Sequence, residues 1–318
     1  MSRNKYIKIA IPYSKINSIL QSHNFQNIIF HIDLQSISKG LYQKNNIFFE
    51  IDYYITNKKP ATSLIDEYKD LLNTLYKSYK RYNPFFVSFY DDGINQQNTT
   101  ISSSYKNGRS VHSDFLQDDE TELFKKIKIN YFLEIEKYFE KPNLSKVYYL
   151  KNYEADFIPH YVIMNNLFNS QSSSTLNIIF SNDKDLLQTC KFTNTIQITN
   201  RFFSSKLGQK QLGIDVYNDS TAIQYIYKNF KVGQLTAKHI PLLLALMGDK
   251  ADGIPGLKGI GAAKAIKLIQ NYNLPSELCE LKKCKEPKIL MDNFKLIIQN
   301  YQLTSFEEQL NRSKSILN

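Results

Sequence analysis

No apolar run in this chain approaches the roughly 20 residues that a membrane-spanning helix requires, although 42% of its 318 residues are hydrophobic. The opening stretch from Met1 to Tyr13 has neither a long apolar core nor a small-residue cleavage site, so it does not read as a signal peptide. A cytoplasmic location is therefore expected. Cysteine is scarce as well. Cys190, Cys279 and Cys284 form neither an even disulfide set nor a paired C-x-x-C zinc pattern, and read as reduced, inert thiols. Negative charge is in deficit: 30 acids against 40 Lys and Arg leave a formal charge of +10. That balance favours a polyanionic partner, because each neutralised phosphate releases condensed counterions. With no spanning segment, nucleic acid fits better than a membrane.

What is present is enough for a folded enzyme. The charged fraction of 22% is too low for a disordered chain. The length allows one large α/β domain with an appended helical module, or two domains. NIIFHIDL (27–34) is a short apolar run that ends in an acid, as a buried parallel strand does when its carboxyl end opens into a site. FFVSFYDD (85–92), KVYYLKNYEAD (146–156) and LNIIFSNDKD (176–185) repeat that phrase. Between the first two strands, Leu64, Tyr68, Leu71, Leu72 and Leu75 fall at helical intervals behind a Thr62/Ser63 start. Strands alternating with helices predict an α/β fold with a doubly wound, mostly parallel sheet. Its strands would deliver four acidic loops to one edge.

The segment at about 99–143 interrupts this rhythm with Tyr105, Lys106 and Arg109, followed by a charged helical stretch from Asp118 to Glu140. A lid at the site edge and a solvated surface helix are both open readings. Beyond Phe230 the pattern turns helical. The expected division is an α/β domain over 1–230 and a helical domain over 231–318, whose tail after Pro275 has helical spacing and no obvious chemistry.

Eight carboxylates carry the candidate chemistry: Asp33, Asp91, Glu154, Asp156, Asp183, Asp185, Asp249 and Asp252. Two residues of spacing lets the 154/156 and 183/185 pairs each point to one side of an extended strand end. Three residues of spacing puts Asp249 and Asp252 on one face of a helical turn. So many acids share a cleft only if cations neutralise them, and oxygen-only ligands favour magnesium or manganese over zinc. The pattern fits two-metal phosphodiester hydrolysis. The glycine-rich GIPGLKGIG (253–261), ahead of a helix-ready AAKAIKLI, can bring backbone N–H groups to a phosphate, with Lys258, Lys264 and Lys267 adding charge.

In this order these residues resemble the 5′ nuclease superfamily: phage 5′ exonucleases and phage RNase H, the 5′ nuclease domain of bacterial DNA polymerase I, and flap endonucleases. The resemblance covers about 27–272. It rests on Asp33, Asp91 with Gly93, YKNGR (105–109), YEAD (153–156), SNDKD (181–185) and LMGDKADGIPGLKGIGAAKA (246–265). It implies a PIN-like fold with a helical arch and a helix-three-turn-helix at about 240–272. It also implies a structure-selective 5′ to 3′ exonuclease or flap endonuclease acting on DNA or RNA-primed DNA in replication or repair of the phage type.

By that resemblance, Asp33, Asp91, Glu154 and Asp156 would serve mainly one Mg2+ or Mn2+ ion, and Asp183, Asp185, Asp249 and Asp252 the other. Lys106 and Arg109 would stabilise the scissile phosphate. Tyr105, Gly256, Lys258, Gly259, Gly261, Lys264 and Lys267 would face the nucleic acid, with K+ held at the helix-three-turn-helix. Expected partners are branched or 5′-ended DNA, an RNA/DNA hybrid, and a single-strand-binding protein or clamp, with the enzyme itself a monomer. Phe157 stands where many relatives have a further acid, and Gly40 where a basic residue is frequent. The first 25 residues and the tail after Pro275 find no counterpart. A catalytically inactive branched-DNA-binding relative and a PIN-type ribonuclease are the rival readings; the first should have lost core acids and the second lacks a GIPGLKGIG module.

Overall fold

The computed structural model describes residues 7, 9–38, 44–91, 96–103, 105, 117–141, 143–204, 210–231, 235–283 and 287–317. The chain divides into two compact units. The first comprises Met1–Gly93, Ser110–Asn182 and Gln197–Val216; the second comprises Ile94–Arg109, Asp183–Ile196 and Tyr217–Asn318.

The first unit is built on a six-stranded sheet of strands β1 (Asn27–Asp33), β2 (Pro84–Asp91), β3 (Ser145–Leu150), β4 (Thr175–Phe180), β5 (Thr195–Ser204) and β6 (Lys210–Tyr217). Their order is β3-β2-β1-β4-β5-β6. β1 pairs in parallel with both β2 and β4, and β2 with β3. The chain thus winds outward from β1 to β3 and returns to the other side of β1 at β4. That reversal makes a switch point at the carboxyl ends of β1 and β4, where a doubly wound sheet opens a crevice. The parallel strands are apolar on both faces, as burial by helices demands. Phe30 sits at the centre, stacked on Phe86 and Phe180 at ring distances of 5.5 and 5.9 Å.

The predicted helix after β1 is present as Ser63–Tyr79, and all five residues of its apolar stripe are buried. The charged stretch of the insertion is the helix Asp118–Phe139. Its first turn carries three acids and a Gln117–Glu120 capping box, both favourable at the positive end of a helix. This helix is neither a free lid nor a solvated surface helix. Phe124, Ile127, Tyr131, Phe132 and Ile135 are at most 2% exposed, and Tyr131 donates to the buried Glu50 at 2.6 Å. None of its charged residues is fully buried, and Glu136 accepts a hydrogen bond from the buried Tyr90 hydroxyl at 3.2 Å.

The second unit is organised around Ile240–Met247, in which every residue up to Leu246 is buried. It packs on Ala262–Asn271 and Phe294–Thr304. The tail after Pro275 is part of this core rather than an appendage. Asn300 donates to the carbonyls of Ala245 and Pro255 at 2.9 and 2.6 Å, and Tyr301 and Leu303 are buried. Cys190 is buried in this unit and Cys279 is exposed, whereas Cys284 lies outside the described residues.

Candidate metal centre and nucleic-acid interface

In the sheet unit the acids sit where the strand register delivers them. β1 aligns Ile32 with Phe180 of β4, so Asp33, the last residue of β1, meets Ser181, the first residue beyond β4. The Ser181 hydroxyl donates to Asp33 Oδ2 at 2.6 Å, and the Ser36 N–H donates to Oδ1 at 2.8 Å as Asp33 caps the short helix Leu34–Ile37. Asp91 ends β2 and is also buried. Its Oδ2 accepts the Ala155 N–H at 2.9 Å, while Gln35 donates to its Oδ1 at 3.3 Å and to its carbonyl at 3.0 Å. The Ala155 bond ties down the loop after β3 at the residue between Glu154 and Asp156. Glu154 is buried and Asp156 half-buried. Phe157 is a core side chain, 1% exposed, which explains an apolar residue at that position.

The second unit holds the other four. β4 ends at Phe180, so Asp183 and Asp185 lie beyond the strand instead of on its extended end as the spacing suggested. Asp183 Oδ1 accepts the Asp185 N–H at 2.9 Å, and Asp185 opens the 3-10 helix Asp185–Lys191. Gln188 then fixes that helix. It donates to the carbonyls of Asp185 and Thr304 at 2.8 and 3.0 Å and accepts the Phe306 N–H at 2.9 Å. Asp249 caps the 3-10 turn Lys250–Asp252 by accepting the Ala251 N–H at 3.0 Å, which leaves Asp249 and Asp252 at its two ends.

Asp185, Asp249 and Asp252 each present one carboxylate oxygen within 4.8 Å of the others, and among the described residues no second group of three acids, histidines or cysteines does so. Asp185 Oδ1 is buried with no hydrogen-bond partner. Burial, then the charge of Asp183 and of the other two acids, raises the Asp185 pKa well above the carboxylate range, against the opposing pull of Lys184. An all-oxygen donor set with an unsatisfied buried atom fits a hard divalent cation. Lys184 also belongs to this cluster and was not singled out in the sequence. Its ammonium forms an ion pair with Asp249 Oδ2. Burial opposes that charge, but Asp185, Asp249 and Asp183 outweigh it and raise the lysine pKa. Burial likewise works against the Asp249 carboxylate, and Lys184 more than compensates, holding its pKa below the usual value.

The glycine-rich segment separates into two parts. Gly256 is structural: a Cβ there would lie 2.1 Å from the Met247 carbonyl oxygen, and one at Gly248 (φ +76°) 2.2 Å from the Gly256 nitrogen. Gly259 has φ +75° with open space around it, and Gly261 is open too. Lys258, Lys264 and Lys267 are exposed beside them, and Lys264 donates to the Gly259 carbonyl at 2.9 Å. The expectation that Tyr105 faces nucleic acid is corrected: its ring is 4% exposed and packed with Ile254 and Leu303. Lys106 and Arg109, like Gly93 and Gly40, lie outside the described residues.

Residues 235–316 match the family described as 5′-3′ exonuclease, C-terminal SAM fold. That match corrects the expectation that the tail after Pro275 has no counterpart. The chain is 28% identical over 226 residues to a 5′-3′ exonuclease of Aquifex aeolicus, covering 71% of this chain and 65% of that protein. It is 29% identical over 168 residues to DNA polymerase I of Borreliella burgdorferi, covering 52% of this chain and 16% of the polymerase. The chain therefore spans less than two thirds of the length of these relatives. A structure of T5 5′-exonuclease with bound divalent metal ions (zinc) superposes with a TM-score of 0.57 at 14% identity, over 89% of this chain and 91% of that one. That likeness establishes the fold. No described helix is long and apolar enough to cross a membrane. Sequence relatives, the C-terminal match and the fold agree in one direction: the chain is similar to 5′-3′ exonucleases and to the DNA polymerases I that it matches in part.

Proposed function

We propose that this protein is a metal-dependent 5′ nuclease that hydrolyses phosphodiester bonds at 5′ ends or flap junctions of DNA or RNA-primed DNA. The observation that carries the reading is the Asp185–Asp249–Asp252 group with its unsatisfied buried Asp185 oxygen. A binding-only relative would have no use for that costly arrangement, since an unpaired buried polar atom costs about 1–3 kcal/mol. Asp183, Asp185, Asp249 and Asp252 would hold one Mg2+ or Mn2+ ion, and Asp33, Asp91, Glu154 and Asp156 another. Bound divalent ions would supply an activated water and neutralise charge on the leaving oxygen. Ser181 holds the Asp33 carboxylate, and Gln35 and the Ala155 N–H hold that of Asp91, which leaves these two little rotamer freedom to lose. Lys106 and Arg109 would lie against the scissile phosphate, where cations stabilise the transition state more than the ground state.

Lys258, Gly259, Gly261, Lys264 and Lys267 would receive the duplex part of a branched or 5′-ended substrate through its backbone, without reading bases. A potassium ion at the helix-three-turn-helix, a monomeric state, a cytoplasmic setting and a single-strand-binding or clamp partner belong to the same proposal. The test compares a 5′-flap duplex, a nicked duplex and an RNA-primed duplex side by side, with magnesium and with EDTA. Cleavage that stops in EDTA while binding persists supports the reading. Cleavage undiminished in EDTA would refute it.

A further inference from the structure

Lys184 stands among the four acids of the second unit, where it pairs with Asp249. Asp183, Asp185, Asp249 and Asp252 bring a formal charge of −4 into one small region when all are ionised. The Lys184–Asp249 ion pair supplies compensation at close range, and Lys184 also acts on Asp185. The Lys184 side chain is 27% exposed and Asp249 only 7%, so the pair is largely withdrawn from solvent. It also engages a carboxylate that belongs to the metal-fitting trio.

We propose that Lys184 is a resident countercation that sets the divalent-ion affinity of the Asp185–Asp249–Asp252 group. This inference rests on the metal-dependent reading above. The ammonium relieves the mutual repulsion of the acids when no ion is bound, so the ion-free protein keeps its fold. The same charge repels an incoming divalent cation and competes with it for Asp249. Lys184 thereby weakens ion binding while protecting the empty protein, and it does so through charge alone. Asp183 and Asp185 face it from its own segment and Asp249 from the Lys250–Asp252 turn.

The test uses the DNA-free protein and Mn2+ alone. Calorimetric titration of wild type, Lys184→Met, Lys184→Gln and Lys184→Arg reads the affinity, and Asp249→Asn identifies which binding event belongs to this group. Both uncharged variants should bind Mn2+ more tightly, on the order of tenfold for a nearby charge partly screened by solvent. Lys184→Arg should stay near wild type. In parallel, the uncharged variants should melt below wild type without metal and recover most of the difference at saturating Mn2+. Equal or weaker Mn2+ binding by folded Lys184→Met and Lys184→Gln would overturn the proposal. If wild type bound no Mn2+ at the event that Asp249→Asn removes, the metal reading itself would fall, and that outcome is distinct from equal binding by all variants.

Discussion

The carboxylate of Asp91 accepts the backbone N–H of Ala155 at 2.9 Å, across 64 residues of sequence. One acid thus anchors the loop that carries two others. Asp91→Asn keeps an acceptor oxygen for that bond and loses only the charge, whereas Asp91→Ala loses both. Asp91→Asn should fold with near-normal stability yet lose divalent-ion affinity and turnover. Asp91→Ala should additionally lose about 1–3 kcal/mol, because a buried N–H is left unpaired. Urea unfolding without metal, beside cleavage of a flap substrate, separates the two effects; equal stability of both variants would show that the bond does not anchor the loop.

Asp183→Asn tests the other acidic phrase. Asp183 Oδ1 accepts the Asp185 N–H, a local role that asparagine can fill. The variant should therefore fold and bind flap DNA at least as well as wild type, since one negative charge near phosphate is gone. Cleavage should fall by more than about 100-fold, given that even outer-shell partners of metal ligands carry 10–100-fold effects. Gel-shift affinity and single-turnover cleavage in magnesium check this, and near-normal cleavage would leave Asp183 as helix-start chemistry alone.

Gly256 and Gly259 should respond differently to substitution. At Gly256 even alanine meets the Met247 backbone carbonyl, which cannot move aside cheaply, so Gly256→Ala should destabilise the protein by about 1–3 kcal/mol. Gly259→Val places its Cβ in open space but occupies a positive-φ position, at a cost of about 1–2 kcal/mol. It should weaken duplex binding more than cleavage of a single-stranded 5′ end. Thermal melts paired with binding to the two substrates would tell; matching losses on both substrates would mean misfolding instead of a lost duplex contact.

Lys106→Ala should lower turnover by roughly 100-fold or more with little change in substrate affinity, as expected for a cation aimed at developing charge. Arg109→Ala should behave similarly and more mildly. Comparable losses of binding and turnover would recast Lys106 as a general backbone contact.

Asn300→Leu should destabilise the second unit by about 1–3 kcal/mol, because the carbonyls of Ala245 and Pro255 both lose their buried donor. Pro255 lies within the glycine-rich segment, so duplex affinity should fall with stability. Denaturation and duplex titration of the same variant check both, and unchanged melting would exclude Asn300 as a clamp.

The parts of this protein that were legible in its sequence are those governed by local periodicity and chain order. Apolar runs ending in acids gave β1, β2 and β4 and the acids that follow them. The stripe from Leu64 to Leu75 gave its helix, because each signal is complete within a few turns of chain. The glycines of the 253–261 segment announced a tight backbone, but which of them is crowded and which is open depended on the Met247 carbonyl arriving from another element. Tyr105 looked like a nucleic-acid contact and is core, since Ile254 and Leu303 close over it. The tail looked featureless and supplies Asn300, as well as Thr304 and Phe306 to Gln188. Ser181 reaches Asp33 from 148 residues away, and Lys184 finds Asp249 only after the second unit has formed. Composition and spacing determine which groups are available and which secondary structures carry them. Only tertiary packing decides which charges become neighbours, because electrostatic and hydrogen-bond energies depend on distances and burial that local sequence does not encode.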